Sequence, residues 1–364
     1  MKRKRKNICL AVYNIADYGG INTVAGNLVD GLCEDYNVFV LSLVDDNRKS
    51  ALEVRPEVHI SRLIHSDTRL RKELVKITVP LIRYLHKNRI DVIILMGHYT
   101  GFLCSPAKSF VKTKFIFSDH GALVNQWDDK KARYMRLVAS KTADQTVTLT
   151  EKTKIDYIDK FKIKRDKISC IYNWIGRSSD DSSHYNLESK KIISVGRLSA
   201  EKGFDQLIEI MDIVSKEHPD WSLDIYGDGE MQEKLATRIG ELRLNNIALK
   251  GRCDRIRAIY KEYSLYVMSS YREGLPMTLL EAKMNKLPIV SFDVDTGPRE
   301  IIRNGIDGVL VEAKNISSFA KAVSNLIENE NMRKRFSERT EENLNQFSKN
   351  SILPLWENLI DNIC

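Results

Sequence analysis

Apolar residues come along this chain in two alternating patterns. The first is the short continuous run, at residues 7–13, 38–44, 91–96, 114–117, 145–149 and 168–172. Runs of this length without polar alternation predict strands buried on both faces, as in a parallel sheet. The second pattern has a helical period. Ile21, Val24, Leu28 and Leu32 share one face behind Gly19-Gly20, and residues 74–86 form a basic amphipathic segment that Pro80 is expected to kink. A polar stretch without period, NWIGRSSDDSSHYNLESK, then intervenes at 173–190. Beyond it the alternation resumes, with strands predicted at 192–195, 222–226, 247–250, 265–268, 288–292 and 308–311. Between the first two of these, Phe204, Leu207, Ile208 and Met211 fall at i, i+3, i+4 and i+7. Strand–helix alternation in both halves predicts the α/β class and two doubly wound domains, residues 1–173 and 191–345, joined by a linker at 174–190. Ligands in such folds sit at the carboxyl ends of the strands, and two facing domains would enclose a central cleft.

The length of 364 residues agrees with two domains, and a hydrophobic content of 43% supplies a core for each. No run approaches the ~18 apolar residues of a spanning helix. The basic start, residues 1–6, resembles the front of a signal peptide, but the apolar run behind it contains Asn14, ends at Asp17 and lacks a small-residue cleavage site. A buried first strand accounts for it better. The six cysteines are scattered without a CxxC pair, which argues against zinc clusters and a disulfide framework and for a reducing cytoplasm. The net charge of +8 is uneven: residues 1–173 hold 31 Lys and Arg against 19 Asp and Glu, and the remainder holds 26 against 30. A basic first half suggests an anionic partner, with nucleic acid and a phospholipid surface as candidates.

Three segments carry candidate chemistry. In SVGRLSAEKG, residues 194–203, Arg197 and Lys202 lie between a strand end and a helix start. A lysine is disfavoured at a helix N-terminus, which already carries partial positive charge. A bound diphosphate would reverse that sign, using both cations and the free N–H groups. The alternative is a solvated lysine paired with Glu201 or Asp205. In SYREGLPMTLLE, residues 270–281, Pro276 suits the first turn of a helix, leaving Glu273 in the preceding loop and Glu281 on the helix. Positions i±3 and i±4 from Glu281 hold Met277, Thr278, Met284 and Asn285, so no helical ion pair is available. Ribose hydroxyls would satisfy it; a frayed, exposed glutamate is the alternative. Eight residues of helix would place the two glutamates up to ~12 Å apart, beyond the spacing of a glycosidase pair. In Asp293-Val294-Asp295 the Asp-x-Asp pattern suggests a metal, but the Thr-Gly-Pro that follows reads as a turn, and no metal is assigned. In the first half, Gly19-Gly20 allows close approach to the backbone but has no GxGxxG spacing, so a plain turn stays open. His120 follows a strand in Ser-Asp-His-Gly, as a site candidate or as a histidine satisfied by Asp119 or by backbone.

The series SVGRLSAEKGFDQLI, YGDGE, REGLPMTLLEA, TGPREII and NGIDGVLV, spanning about 190–312, resembles the retaining glycosyltransferases of family 4. Over 1–189 the likeness rests on Gly19-Gly20 and His120. The resemblance implies the GT-B fold, two Rossmann-like domains facing a cleft, with an acceptor-binding first domain and a nucleotide-sugar-binding second. It also implies that the last helix, in 346–364, packs back on the first domain. Arg197 and Lys202 would hold the donor diphosphate, Glu281 the ribose, and Glu273 and His120 the transferred sugar. Backbone around Gly274, Leu275 and Met277 would contact sugar and phosphate, Arg252 would lie near the base, and Gly19 and Gly20 would face the diphosphate.

That family needs no metal or other cofactor, so the expected partners are a nucleotide-sugar donor, most readily a UDP-sugar, and a lipid-linked or polysaccharide acceptor. The implied activity is a retaining hexosyltransferase building cell-surface glycan such as capsule or lipopolysaccharide. The basic residues Lys72, Lys76, Arg83, Lys87, Lys130, Lys131, Arg133 and Arg136 are interleaved with apolar ones. They fit helices lying on the anionic inner face of a membrane, making the protein cytoplasmic and peripheral. Three rivals remain: a UDP-sugar 2-epimerase of the same architecture, a non-catalytic partner subunit, and a nucleic-acid binder. The last has no recognition motif.

Overall fold

A computed structural model describes residues 5–17, 19–50, 52, 54–65, 70–176 and 185–363, with the backbone alone for 70–73. The very start of the basic N-terminus (1–4), the Lys72 side chain and residues 177–184 of the expected linker lie outside what is described. The chain divides into two compact units, 1–176 with 347–364, and 177–346.

In the first unit, β1 (Asn7–Val12), α1 (Gly20–Leu32), β2 (Asn37–Asp45), β3 (His59–His65), α2 (Leu70–Lys87), β4 (Val92–Met96), α3 (His98–Cys104), β5 (Lys114–Asp119), α4 (Lys130–Thr142), β6 (Gln145–Thr148), α5 (Glu151–Phe161) and β7 (Ile168–Cys170) follow one another. The strands pair in parallel in the order β3-β2-β1-β4-β5-β6-β7. The all-apolar β4 is buried along its whole length because helices cover both faces of the sheet. Each such Ile, Leu or Val contributes about 1.5–3 kcal/mol on burial. The edge strand β3 has no counterpart among the predicted runs: its sequence HISRLIH is mostly solvent-facing, so it carries no continuous apolar signal. Ile21 also departs from expectation. It heads α1 but stands exposed, while Val24, Leu28 and Leu32 are buried. Helix α2 runs continuously through Pro80.

The second unit contains β8 (Lys191–Val195), α6 (Phe204–Glu217), β9 (Ser222–Tyr226), α7 (Gln232–Glu241), β10 (Ile247–Gly251), α8 (Ile256–Ile259), β11 (Leu265–Met268), α9 (Met277–Met284), β12 (Ile289–Asp293), α10 (Pro298–Ile301), β13 (Gly308–Glu312), α11 (Ile316–Glu328) and α12 (Glu330–Arg339). Its parallel order is β10-β9-β8-β11-β12-β13. The chain then returns to the first unit as α13 (Lys349–Ile363), whose Ile352, Trp356 and Ile360 join the core formed by α1, β1 and β2.

The linker is shorter than the sequence suggested. Trp174 and Ile175 are buried in the first unit. At its other end Tyr185 Oη donates to the Ser264 carbonyl at 3.0 Å and Ser189 Oγ to that of Glu262 at 2.7 Å, within the second unit. An indole and an isoleucine inside a serine-rich stretch were the overlooked apolar signal. In each sheet the strand order reverses once, at β1/β4 and at β8/β11, and the segments leaving those strand ends carry most of the candidate residues.

Candidate functional site

The segment after β8 is fixed by its neighbours. Gly196 N–H donates to the Tyr226 carbonyl at 3.0 Å, Leu198 N–H to that of Asp228 at 2.8 Å, and Met231 N–H back to Leu198 at 2.9 Å. This ladder explains why YGDGE accompanies SVGRL in the sequence. A short 3₁₀ turn, Ala200–Lys202, then leads to Gly203 at φ +63°. A Cβ there would stand 2.1 Å from the Ser269 carbonyl oxygen, so only glycine allows this approach. Ser269 Oγ donates to the Gly203 carbonyl at 2.8 Å, and Gln206 Nε2 donates to the Ser269 carbonyl at 3.1 Å. The Lys202 loop is thereby fastened to the end of β11.

That fastening brings Lys202 to Glu273. Lys202 Nζ lies 2.8 Å from Glu273 Oε1, and Ser270 Oγ donates to the same oxygen at 2.6 Å. The Thr296 hydroxyl donates to the Glu273 carbonyl. Glu273 is only 7% exposed. Neither Glu201 nor Asp205 takes the lysine, and Asp205 accepts instead from Tyr271 Oη at 3.1 Å. The first turns of α6 and α9 have no side-chain cap, unlike α4, α5, α11 and α12, which begin on Asp129, Thr150, Asn315 and Asn329. Their first N–H groups and the Lys202 ammonium together make an anion-attracting corner. Arg197 stands exposed at the mouth of the same loop.

Glu281 is not the frayed residue that its helix neighbours allowed. Tyr260 Oη donates to its Oε2 at 3.2 Å, and Arg257 Nε lies 3.8 Å from Oε1. Both come from the 256–262 segment, which no spacing rule connects to position 281. Burial, reinforced by Glu281, raises the Tyr260 phenol well above its ordinary range, so it remains a donor. Behind α9, Lys283 is wholly buried, with Nζ 2.8 Å from the Ile301 carbonyl, 3.0 Å from Asp307 and 2.5 Å from Asn343 Oδ1. Burial lowers its pKa against the opposing pull of Asp307. Gly274 and Met277 are half-buried and Leu275 is buried at the start of α9. Arg252 is exposed past β10, its Nη2 3.0 Å from Asp254. Asp293 is held by Arg299, 2.5 Å away.

In the first unit, Gly19 and Gly20 lie exposed at the open start of α1, and among the described residues a Cβ on Gly20 would meet nothing within 4 Å. Packing therefore does not require that glycine. His120 follows β5 with Nε2 3.2 Å from Ser118 Oγ. Burial holds its pKa down to about 4 against the pull of Asp119. Asp119 does not hydrogen-bond the histidine, contrary to one expectation. It binds Arg136, which the sequence had assigned to a lipid-facing stripe and which is in fact only 1% exposed. Arg133 also leaves that stripe, lying 4.9 Å over the Trp127 ring. Of the residues that sequence reasoning missed, Ser270 stood in plain view three positions before Glu273. Arg257 and Tyr260 carried no local signal.

Comparison with known proteins matches both units. Residues 18–178 fit the model of Glycosyltransferase Family 4, and residues 177–343 that of Glycosyl transferases group 1. A protein of Haemophilus influenzae described as an uncharacterized glycosyltransferase is 27% identical over 98% of this chain and 100% of its own length. The amylovoran biosynthesis glycosyltransferase AmsD of Erwinia amylovora is also 27% identical, over 97% of this chain and 99% of its own. A variant of S. aureus TarM, solved with fondaparinux, alpha-GlcNAc-glycerol and UDP, superposes with a TM-score of 0.82 at 17% identity, covering 98% of this chain and 99% of that one. With a fold of two Rossmann-like units matched end to end and a family model on each half, the chain belongs to the family 4-like glycosyltransferases of GT-B fold.

Proposed function

We propose that the protein transfers a hexose or N-acetylhexosamine from a UDP-sugar, with retention of anomeric configuration, to a lipid-linked or polysaccharide acceptor in cell-surface glycan synthesis. The observation that carries this reading is the Lys202–Glu273 contact at the uncapped start of α6. A cation that a helix N-terminus disfavours is kept there by one buried carboxylate, and an incoming diphosphate is a second, stronger partner for it. AmsD, as its name states, serves amylovoran biosynthesis, and the TarM structure contains UDP, which supports the glycan and donor classes.

In the proposed reaction the bond from the anomeric carbon to the diphosphate breaks, and its electron pair leaves on the phosphate oxygen. Lys202 and Arg197 neutralise that charge as it develops. The acceptor oxygen bonds to the same face of the oxocarbenium-like carbon, and its proton passes to the departing phosphate. Two side-chain cations supply the neutralisation, so the reading requires no metal. Glu273 is assigned to the sugar hydroxyls, Glu281 to the ribose and Arg252 to the base. Gly274, Leu275 and Met277 offer backbone to sugar and phosphate, and Gly19, Gly20 and His120 are assigned to the diphosphate and sugar. UDP release, screened over UDP-sugars and lipid-diphosphate sugar acceptors, tests this, with product configuration read by NMR. Lys202→Ala is expected to lower turnover at least 10²-fold. Undiminished turnover, or an inverted linkage, overturns the assignment.

The first unit is further proposed to rest on the anionic cytoplasmic face of a membrane. On α2, Lys76, Arg83 and Lys87 are exposed beside Val75, 76% exposed, and Val79, while α4 exposes Lys130, Lys131 and Tyr134. Each cation near such a surface adds about 1 kcal/mol. Among the described residues no helix is long and apolar enough to cross a membrane. Absence of co-sedimentation with anionic liposomes at low salt removes this part of the reading.

A further inference from the structure

Arg136 is an unusual residue to find in a core. Its Nε lies 2.8 Å from Asp119 Oδ2, and Tyr157 Oη donates to the same oxygen at 2.7 Å. Asp119 and Tyr157 are both fully buried. The guanidinium has one nitrogen, Nη1, buried without a hydrogen-bond partner among the described residues. Another, Nη2, lies so close beneath Gly121 that a Cβ there would stand 2.4 Å from it. Burying a charged pair is costly, and well-packed apolar side chains of similar volume often serve stability as well or better. An open N–H adds to that cost. Core stability alone therefore gives little reason for this arrangement.

What the three side chains share is the turn they hold. Asp119 Oδ1 accepts from the Gly121 N–H at 3.2 Å, while Oδ2 is fixed by Arg136 and Tyr157. The backbone is thus gripped on both sides of His120, and Ser118 Oγ meets the ring itself. We propose that Asp119, Arg136 and Tyr157 are positioning residues that set the direction of the His120 ring toward the transferred sugar, without touching substrate themselves. This rests on the transferase reading and on the role given there to His120. The charges agree with it. Burial lowers the pKa of His98, and the Arg136 cation adds to this against the opposing pull of Asp119 and Asp129. His120, facing burial and Asp119, is likewise neutral at neutral pH. A neutral ring presents one donor and one acceptor nitrogen in fixed directions, which is what a hydroxyl-bearing ligand can read.

Tyr157→Phe tests this, because it deletes a single hydroxyl and keeps the packed ring. It is expected to lower kcat roughly tenfold with donor KM changed less than about twofold, as for a misaimed group near the reacting centre. In a His120→Ala background the same substitution should have no further effect. Equal losses in both backgrounds, or a change confined to KM, overturn the proposal. A second measurement is independent of turnover: in ¹H–¹³C spectra of the histidine rings, Tyr157→Phe should shift the His120 resonances, and unchanged His120 resonances overturn the proposal. If no UDP-sugar is turned over by the wild type, the functional reading fails while the spectra still decide the positioning. Should Tyr157→Phe not fold, Gly121→Ala presses a methyl group onto Arg136 Nη2 from the other side and is expected to give the same His120-dependent loss.

Discussion

Replacing Gly203 by alanine probes the donor corner through one methyl group. The residue sits at φ +63°, a conformation that costs an L-amino acid roughly 1–2 kcal/mol. Its new Cβ would stand 2.1 Å from the Ser269 carbonyl oxygen, where ordinary carbon–oxygen contacts begin near ~3.3 Å. The loop must therefore retreat by about 1 Å, loosening the Ser269 and Gln206 hydrogen bonds that fasten it. Lys202 is the adjacent residue, and a displacement of that size costs about 10²-fold in rate when it misplaces a group at the chemistry. Together, strain and lost contacts are expected to destabilise the second unit by about 2–3 kcal/mol, a fall of roughly 5–10 °C in its melting transition. UDP release and calorimetry on the same preparation measure both. The control is Gly240→Ala in α7, where a Cβ meets nothing within 4 Å. That change should stabilise by about 0.5–1 kcal/mol and leave turnover alone. Turnover and melting of Gly203→Ala both within error of wild type would refute the claim that this contact sets the lysine.

Lys283→Met leaves Asp307 buried with Arg303 as its remaining cation among the described residues, and is expected to destabilise by about 3–5 kcal/mol in urea unfolding. Tyr260→Phe removes a hydrogen bond to the Glu281 carboxylate and should raise donor KM roughly tenfold with the fold intact, as steady-state kinetics would register. His120 has a folded pKa of about 4, below its ordinary value, so between that value and ~6.5 the unfolded chain binds more protons than the native one. Stability is therefore lost as pH falls through that window, by up to about 3 kcal/mol, with His98 acting in the same direction. Melting followed from pH 7 to 4 should show the slope, and His120→Gln should reduce it, leaving the His98 share.

The parallel sheets were legible because strands such as VIILM in β4 are apolar throughout, and only a doubly covered sheet buries such a run. The donor corner was legible in part. The sequence placed Lys202 and Glu273 at strand ends, yet nothing in their spacing of 71 residues says that they touch. That contact exists because β8 and β11 are adjacent and Gly203 lets the two loops meet. Arg136 shows the opposite failure. On a helix with Lys130, Lys131 and Arg133 it looks like one more surface cation, and only the placement of Asp119 on β5 turns it inward. Charge periodicity describes a helix face but not the carboxylate waiting behind it. The same holds for Glu281, whose partners Tyr260 and Arg257 come from a segment about twenty residues upstream.

The path of α13 bears on synthesis. Residues 349–363 complete a core begun by β1 and α1, at the far end of the chain. A ribosome must make the whole second unit before the first can close over Ile352, Trp356 and Ile360. Until then the unfinished lobe shows an apolar scar to water, a natural hold for chaperones, and residues 1–176 expressed alone should be prone to clump until a peptide carrying 347–363 is supplied.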